Sequence, residues 1–395
     1  MNNWYDAFDA LERLLGRLKH DFKKILFIDE MPWIDTQGSE FVAALEDFWN
    51  GWAAQRDDIM LIACGSATSW LVDNLIENQG GLHNRITMRL MLQPFCLQEC
   101  KTYVEEHGGT WDEYMITQCY MCIGGVPFYW SLLDFNKDIS SNIDALFFSP
   151  NARLRDEFTE LFQVLFRESD AYTDIVRTLA SHREGLTRQE IAQILGINGG
   201  SLTARLTNLE RCSLIKRQAL PNGKKSGGIY RLVDFYTLFY LRFIEPVSDP
   251  VLPYWQSRAI SPDILVWQGL TFELVGLTHI AQIKQALGIA GVRVEVGAWR
   301  GRDEKGRRAQ VDLVIQRNDR VTHLCEFKFS TDSYTISADY ATHLRDRMSI
   351  YREQTHTRDV LLTTFITTFG IRPGAHSSVA QYNLLLHHLF LPLMF

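Results

Sequence analysis

The sequence predicts a multidomain α/β protein. Three observations carry that expectation. Two apolar strands flank a helix near the start, a helix–turn–helix with a basic hairpin follows, and a helix-flanked hairpin bearing carboxylates lies near the end. The 395 residues are 46% hydrophobic and 22% charged, which excludes the disordered and fibrous classes. The net charge of −7 argues against a protein that coats nucleic acid, but the charge is unevenly spread. Residues 1–150 carry a net −12, residues 171–245 a net +5, and residues 246–395 a net +2. That pattern implies domains with different partners.

Residues 5–20 place Phe8, Leu11, Leu14, Leu15 and Leu18 at helical spacing. Ile25–Ile28 is a continuous apolar run, the pattern of a parallel strand buried on both faces, and it ends in Asp29 and Glu30. A helix with Phe41, Leu45 and Phe48 follows, then a second apolar strand, Ile59–Ala63, ending in Cys64, Gly65 and Ser66. Strand, helix and strand with polar C-terminal ends place a site at those ends. Four apolar residues before Asp-Glu is the Walker B pattern, in which the Asp holds Mg²⁺ and the Glu polarises water. Arg85 precedes a further apolar segment, ITMRLML, expected as a strand before a Pro-Phe turn.

Cys119 and Cys122 form a lone C-x-x-C without a second pair, which reads as helix core. The seven scattered cysteines fit a reducing cytoplasm, and no run is long and apolar enough for a membrane span.

The strings ILFIDEMPWI, LIACGSATSWL, NRITMRLMLQPFCLQE and IGGVPFYW together resemble the AAA-like, STAND-related ATPases of archaea and bacteria. The resemblance implies a partial P-loop-like core over residues 1–105 and a helical lid over 106–168. It also implies nucleotide contacts from Asp29, Glu30, Ser66 and Arg85, with Asp29 on Mg²⁺ and Glu30 catalytic. The family's phosphate loop, G-x-x-x-x-G-K-[ST], is absent from these 395 residues. The chain therefore resembles a member lacking its N-terminal phosphate-binding part. Its sheet is expected to lack neighbouring strands, leaving the front segment mobile or sheltered by a partner, a protein or a second copy.

Residues 169–248 read as a winged helix. Thr187 and Glu190 form a capping box, SLTARLTNLERCSLI is a second helix with Leu202, Leu206 and Leu209 on one face, and two strands enclose PNGKKSGG. Arg205, Arg211, Lys224 and Lys225 are the candidate DNA-binding residues, and a protein-binding spacer is the alternative. The aromatics of DFYTLFYLRFIEP read as packing.

Residues 255–395 place Asp312 in one strand of a hairpin, and Glu326 and Lys328 two apart in the other, hence on one face. A preceding helix carries Glu273. Carboxylates plus a Lys from adjacent strands suit Mg²⁺- or Mn²⁺-dependent phosphodiester cleavage. This constellation resembles the PD-(D/E)xK nucleases, which implies an α/β/α restriction-endonuclease-like domain. Glu273, Asp312, Glu326 and Lys328 would be catalytic there, with Asp312 and Glu326 on the metal. Arg345 or Arg347 is expected to face a backbone phosphate. The family's proline is absent, and a catalytically silent binding or regulatory module is the alternative.

Without backbone amides and a Lys to cradle the β- and γ-phosphates, this chain has little hold on ATP. Calorimetry with Mg²⁺ and ATP is expected to show millimolar or weaker binding and no turnover; micromolar binding with hydrolysis overturns this.

Overall fold

The computed structural model describes residues 3–393 except 20, 21, 37, 66–74, 76–80, 83, 167, 198, 220–227, 304 and 305. The chain forms two compact units. One comprises Met1–Leu92, Phe162–Tyr172 and Gly200–Ser213. The other comprises Gln93–Leu161, Thr173–Gly199 and Leu214–Phe395. Parallel and antiparallel sheets both occur, in a mixed α/β fold.

In the first unit, helix α1 (Trp4–Arg17) starts at Asn3, whose side chain accepts the Asp6 N–H at 2.8 Å. Phe8 of α1 stacks on Phe48 of helix α2 (Phe41–Gly51), ring centroids 5.1 Å apart. Strands β1 (Lys24–Ile28) and β2 (Ile59–Ala63) pair in parallel, Leu26 opposite Leu61. Leu26, Ile28, Leu61 and Ala63 pack on the aromatic core of the two helices. The strand expected to be buried on both faces is not: Ile25 is 64% exposed and Phe27 57%. Among the described residues that core covers only one face of the pair, so β1 alternates in burial. The strand expected after Arg85 is also corrected. Residues 86–92 pair with no described strand, and Met88, Leu90 and Leu92 are exposed. An apolar run becomes a strand only where an edge accepts its backbone hydrogen bonds.

In the second unit, helices α3 (Leu97–Glu106) and α4 (Glu113–Ile123) begin the chain order. Glu99 accepts the Cys96 N–H at 2.8 Å to cap α3. Gly124 ends α4 at φ +65°, and its carbonyl accepts the Trp130 indole N–H at 2.8 Å. Cys119 and Cys122 are buried in α4, and desolvation raises both thiols well above their ordinary pKa. This is the helix-core role expected of them.

Next in chain order come helix α5 (Ser169–Ala180), whose first residues belong to the first unit, strand β3 (Leu186–Thr187) and helix α6 (Arg188–Leu195), and then, within the first unit, helix α7 (Gly200–Arg211). Strands β4 (Ile215–Ala219) and β5 (Gly228–Leu232) follow, in a sheet of order β3-β5-β4. The expected capping box is present: Thr187 N–H donates to Glu190 at 2.7 Å, and Glu190 N–H to the Thr187 hydroxyl at 3.3 Å. Leu202, Leu206 and Leu209 are buried on one side of α7, as their spacing requires. The aromatics after β5 do pack: Phe239 and Phe243 both touch Trp255 and Trp267, with centroids 5.0 to 5.5 Å apart.

The last part carries helix α8 (Pro262–Thr278), strands β6 (Val294–Arg302), β7 (Arg308–Arg317) and β8 (Val321–Lys328), helix α9 (Ala338–Thr355), and strands β9 (Val360–Thr367) and β10 (Tyr382–Leu385). The sheet order is β10-β9-β8-β7-β6. β6, β7 and β8 are antiparallel, while β8, β9 and β10 are parallel. Phe272 of α8 meets Phe327 of β8 edge-on at 6.2 Å. Trp299, Val311 and Leu324 form a core cluster with Ile350 and Tyr351 of α9.

Among the described residues no single helix is long and apolar enough to cross a membrane. α8 and the helix Ile280–Ala286 pass that test only as a pair bent by 77°.

The turn after α4 leaves no room for a side chain at Gly125. Phe95 N–H donates to the Gly125 carbonyl at 2.7 Å, and a Cβ on Gly125 would lie 1.9 Å from the Phe95 carbonyl oxygen. The obstacle is backbone, so the chain must move. Gly125→Ala is expected to cost about 2–4 kcal/mol, on the scale of overpacking with a lost buried hydrogen bond, read by urea unfolding. An unchanged midpoint refutes the close approach.

Candidate functional site

The hairpin of β7 and β8 brings the expected carboxylates to one end of the sheet. Leu313 pairs with Cys325, so Asp312 and Glu326 are the next residues along the two strands. Lys328 follows Glu326 by one pleat, and its ammonium lies 2.8 Å from Glu326 Oε1. This is the same-face placement that the two-residue period requires.

Glu326 is nearly buried and fully engaged. Arg347 of α9 donates to Oε2 at 2.7 Å, and the Tyr340 hydroxyl donates to Oε1. Burial pushes the carboxyl up, but Arg347 and Lys328 overcome that and its pKa falls to about 2. Burial opposes charge on Lys328 as well, yet Glu326 and Tyr340 raise its pKa above the ordinary value. Lys328 is therefore a firm cation here. Arg347, read from sequence as facing a phosphate, instead holds Glu326 and reaches the Gln310 carbonyl at 3.4 Å. Arg345 is exposed.

Asp312 accepts from Gln310 Nε2 at 2.7 Å and from Arg231 of β5 at 3.3 Å. Glu273 of α8 faces Arg183 at 3.4 Å. Burial raises the Glu273 pKa to about 7, with Asp312 and then Glu326 adding repulsion and Arg183 opposing it. Asp312 and Glu326 thus both act on Glu273 through space. A cavity of about 710 Å³ opens beside Glu273, lined also by Arg177, Arg183, Arg231 and Arg242.

Asp312 and Glu326 are the divalent-metal ligands that the sequence leads one to expect, with Glu273 beside them. Among the described residues, no group of three or more His, Cys, Asp or Glu is disposed to hold a metal ion. Four cations, Arg183, Arg231, Lys328 and Arg347, already face the three carboxylates. As arranged here the residues do not fit a divalent ion.

The other expected residues lie apart. Asp29 and Glu30 end β1, where Asp29 accepts the Glu30 N–H at 3.0 Å and the Cys64 thiol. Glu30 has φ +47°, the left-handed region. Arg85 lies after β2, just before residues 86–92, and Ser66 falls outside the described residues. On α7, Arg205 pairs with Glu168 at 2.8 Å. Arg211 ends the same helix, and Lys224 and Lys225 fall outside the described residues.

Sequence reasoning missed Arg183, Arg231 and Tyr340 as members of the cluster. The only signal for them was the general need of buried carboxylates for cations. It also missed buried His279, whose Nε2 accepts the Leu97 N–H at 3.0 Å and whose pKa burial lowers to about 4.

The raised Glu273 pKa sets a pH dependence. A carboxyl that holds its proton more tightly when folded contributes fully below the unfolded value of 4.5, and loses that contribution as pH rises through about 7. Stability should fall across that window by at most about 3 kcal/mol. Glu273→Gln should flatten the fall, read as urea midpoints from pH 4.5 to 8. An equal slope in the variant refutes the assignment.

Residues 173–238, spanning α6, α7 and the β4–β5 pair, match the family described as the B-block binding subunit of TFIIIC. A Walker-type ATPase of Pyrococcus abyssi is a structural neighbour at 19% identity, with a TM-score of 0.41, covering 60% of this chain and 67% of that one. No curated protein matches the sequence.

Proposed function

We propose that this chain is an ATPase-related, nucleic-acid-associated protein, with a winged helix that contacts DNA and a nuclease-like C-terminal domain. The observation that carries the reading is the placement of Asp312 and Glu326-x-Lys328 on neighbouring strands, with Glu273 on the preceding helix. The chain order supports it: a helix, three antiparallel strands, a helix and a parallel strand, the order expected of a restriction-endonuclease-like core. The match over residues 173–238 supports nucleic-acid contact, since that family is described by its binding to a B-block. Support for the ATPase kinship lies in the parallel β1–β2 pair and the Asp-Glu at its end.

In this reading the chain's own residues divide the work. The arginines lining the cavity hold phosphate oxygens by charge-assisted hydrogen bonds. Lys328 stabilises negative charge developing at a phosphate, and Arg347 and Tyr340 fix Glu326 beside it. Such domains employ Mg²⁺ or Mn²⁺, an ion that the carboxylates as arranged here, paired to Arg231, Lys328 and Arg347, do not accommodate. A second reading, a silent DNA-binding module, is favoured by the full engagement of the carboxylates.

Duplex DNA binding, followed by fluorescence anisotropy, tests the proposal. Affinity should fall steeply between about 50 and 200 mM salt, and Lys224→Ala with Lys225→Ala should weaken all sequences about equally. In the presence of Mn²⁺, cleavage should vanish in Asp312→Ala and drop by about 100-fold in Lys328→Ala. DNA binding without cleavage selects the silent module; no DNA binding at low salt rejects the proposal.

A further inference from the structure

The parallel strands β8 and β9 end side by side, Lys328 opposite Thr367. The carboxyl ends of parallel strands are where open α/β sheets receive ligands. The two loops that leave these ends are tied together. Ser330 N–H donates to the Thr368 hydroxyl at 3.0 Å, and that hydroxyl donates to the Ser330 carbonyl at 2.7 Å. Gly370 N–H donates to the Thr367 hydroxyl at 3.0 Å, Tyr334 N–H to the Gly370 carbonyl at 2.8 Å, and Arg372 N–H to the Tyr334 carbonyl at 2.9 Å. Phe369 lies between these pinned residues and is nevertheless 49% exposed.

Phe369 is also the outer end of a row of rings. Phe329, the residue after Lys328, meets Phe272 of α8 with centroids 5.2 Å apart. Tyr114 of α4 lies nearly parallel to Phe329, at 4.8 Å and 9°. Phe369 follows Tyr114 at 5.6 Å and 31°. Exposure rises along the row: Phe272 is buried, Phe329 and Tyr114 are half-buried, and Phe369 is exposed. The row therefore ends in solvent, on backbone that its hydrogen bonds hold in place.

We propose that Phe369 is a stacking platform for an unpaired base of a nucleic-acid strand, with Tyr114 and Phe329 bracing its ring and with Lys328 and Arg372 on the same two loops to meet phosphates. The inference rests on the nucleic-acid association proposed above and names the form of nucleic acid that the C-terminal sheet engages. Every base has a π face, so stacking on a fixed ring accepts any sequence. In a duplex those faces are covered by their neighbours, so the platform takes a single strand, a flap or a frayed end. The cations favour a nucleic-acid strand over an apolar protein surface as the occupant. Lys328 adjoins Phe329 in the chain, and Arg372 lies three residues after Phe369. Arg372 is paired with Asp332 at 2.8 Å, but both side chains are exposed, and such a surface pair yields readily to a phosphate. A strand brings one phosphate with each base and so answers the ring and the cations together, whereas an apolar surface would leave the cations unanswered.

The test is fluorescence anisotropy of the full chain with two labelled single strands. One is a thymidine oligomer about 12 nucleotides long, and the other is its abasic counterpart, which keeps the phosphates and lacks the bases. Wild-type protein should hold the thymidine strand about tenfold more tightly than the abasic one. Phe369→Ala should lower the thymidine affinity to the abasic value and leave the abasic affinity unchanged. Phe369→Trp should keep the preference, which separates a lost ring from a disturbed loop. Equal wild-type affinity for the two strands overturns the platform, as does a preference that survives in folded Phe369→Ala. Where duplex binding persists in those cases, the nucleic-acid reading stands without the platform. Absence of binding to the duplex and to both strands removes that reading and the platform with it. Self-association that Phe369→Ala abolishes, with no preference for bases, gives the ring to a second copy and overturns the proposal.

Discussion

Glu326 stands on the middle strand of a five-stranded sheet, and a carboxylate in that position persists only with cations at contact distance. Lys328 and Arg347 meet that demand, and the geometry of the whole end of the domain follows. Arg347 fixes the position of α9 against β8, because its guanidinium spans from Glu326 to the Gln310 carbonyl of β7. Tyr340, two turns earlier on α9, closes the other oxygen. Breaking such a buried pair costs about 3–5 kcal/mol, since it strands one charge, whereas the intact pair adds little net stability. The arrangement therefore serves placement more than stability. Glu273 lies within the field of Glu326 but outside its hydrogen bonds, and the cations that face Glu273 and Asp312, Arg183 and Arg231, come from elsewhere in the chain.

What was legible in the sequence was what depends on neighbours in the chain. The β7–β8 hairpin, the one-face placement of Glu326 and Lys328, and the Thr187–Glu190 cap all follow from short-range periods. The burial of α4's cysteines and the packing of the aromatics after β5 were legible in the same way. What was not legible depends on contacts across long chain separations. Arg231 lies 81 residues before Asp312, and no local pattern links them. Arg347 was assigned outward to a ligand because its spacing on α9 does not show that the sheet already holds an anion for it. The apolar run of β1 looked doubly buried because hydrophobicity records what a residue tolerates, not which face receives a cover.

The two units illustrate a second limit of reading along the chain. α7 falls within the first unit, while the strands on either side of it in sequence, β3 and β4, fall within the second. Residues 169–248 are continuous in sequence, yet they are divided between the two units. Composition and spacing identify the elements well because each is fixed by its own periodicity. They carry no information on which neighbour each element adheres to.

Glu30 closes β1 at φ +47°, a backbone state that costs a non-glycine residue about 1–2 kcal/mol. Glycine would occupy the same turn without that penalty. An engineer optimising this chain for heat resistance alone would therefore replace Glu30 early, and would remove in one step the acid that follows Asp29 at the strand's end. Thermostability and the chemical character of that corner pull in opposite directions. A library ranked only by melting temperature would select against the corner's acidity without any assay registering the loss.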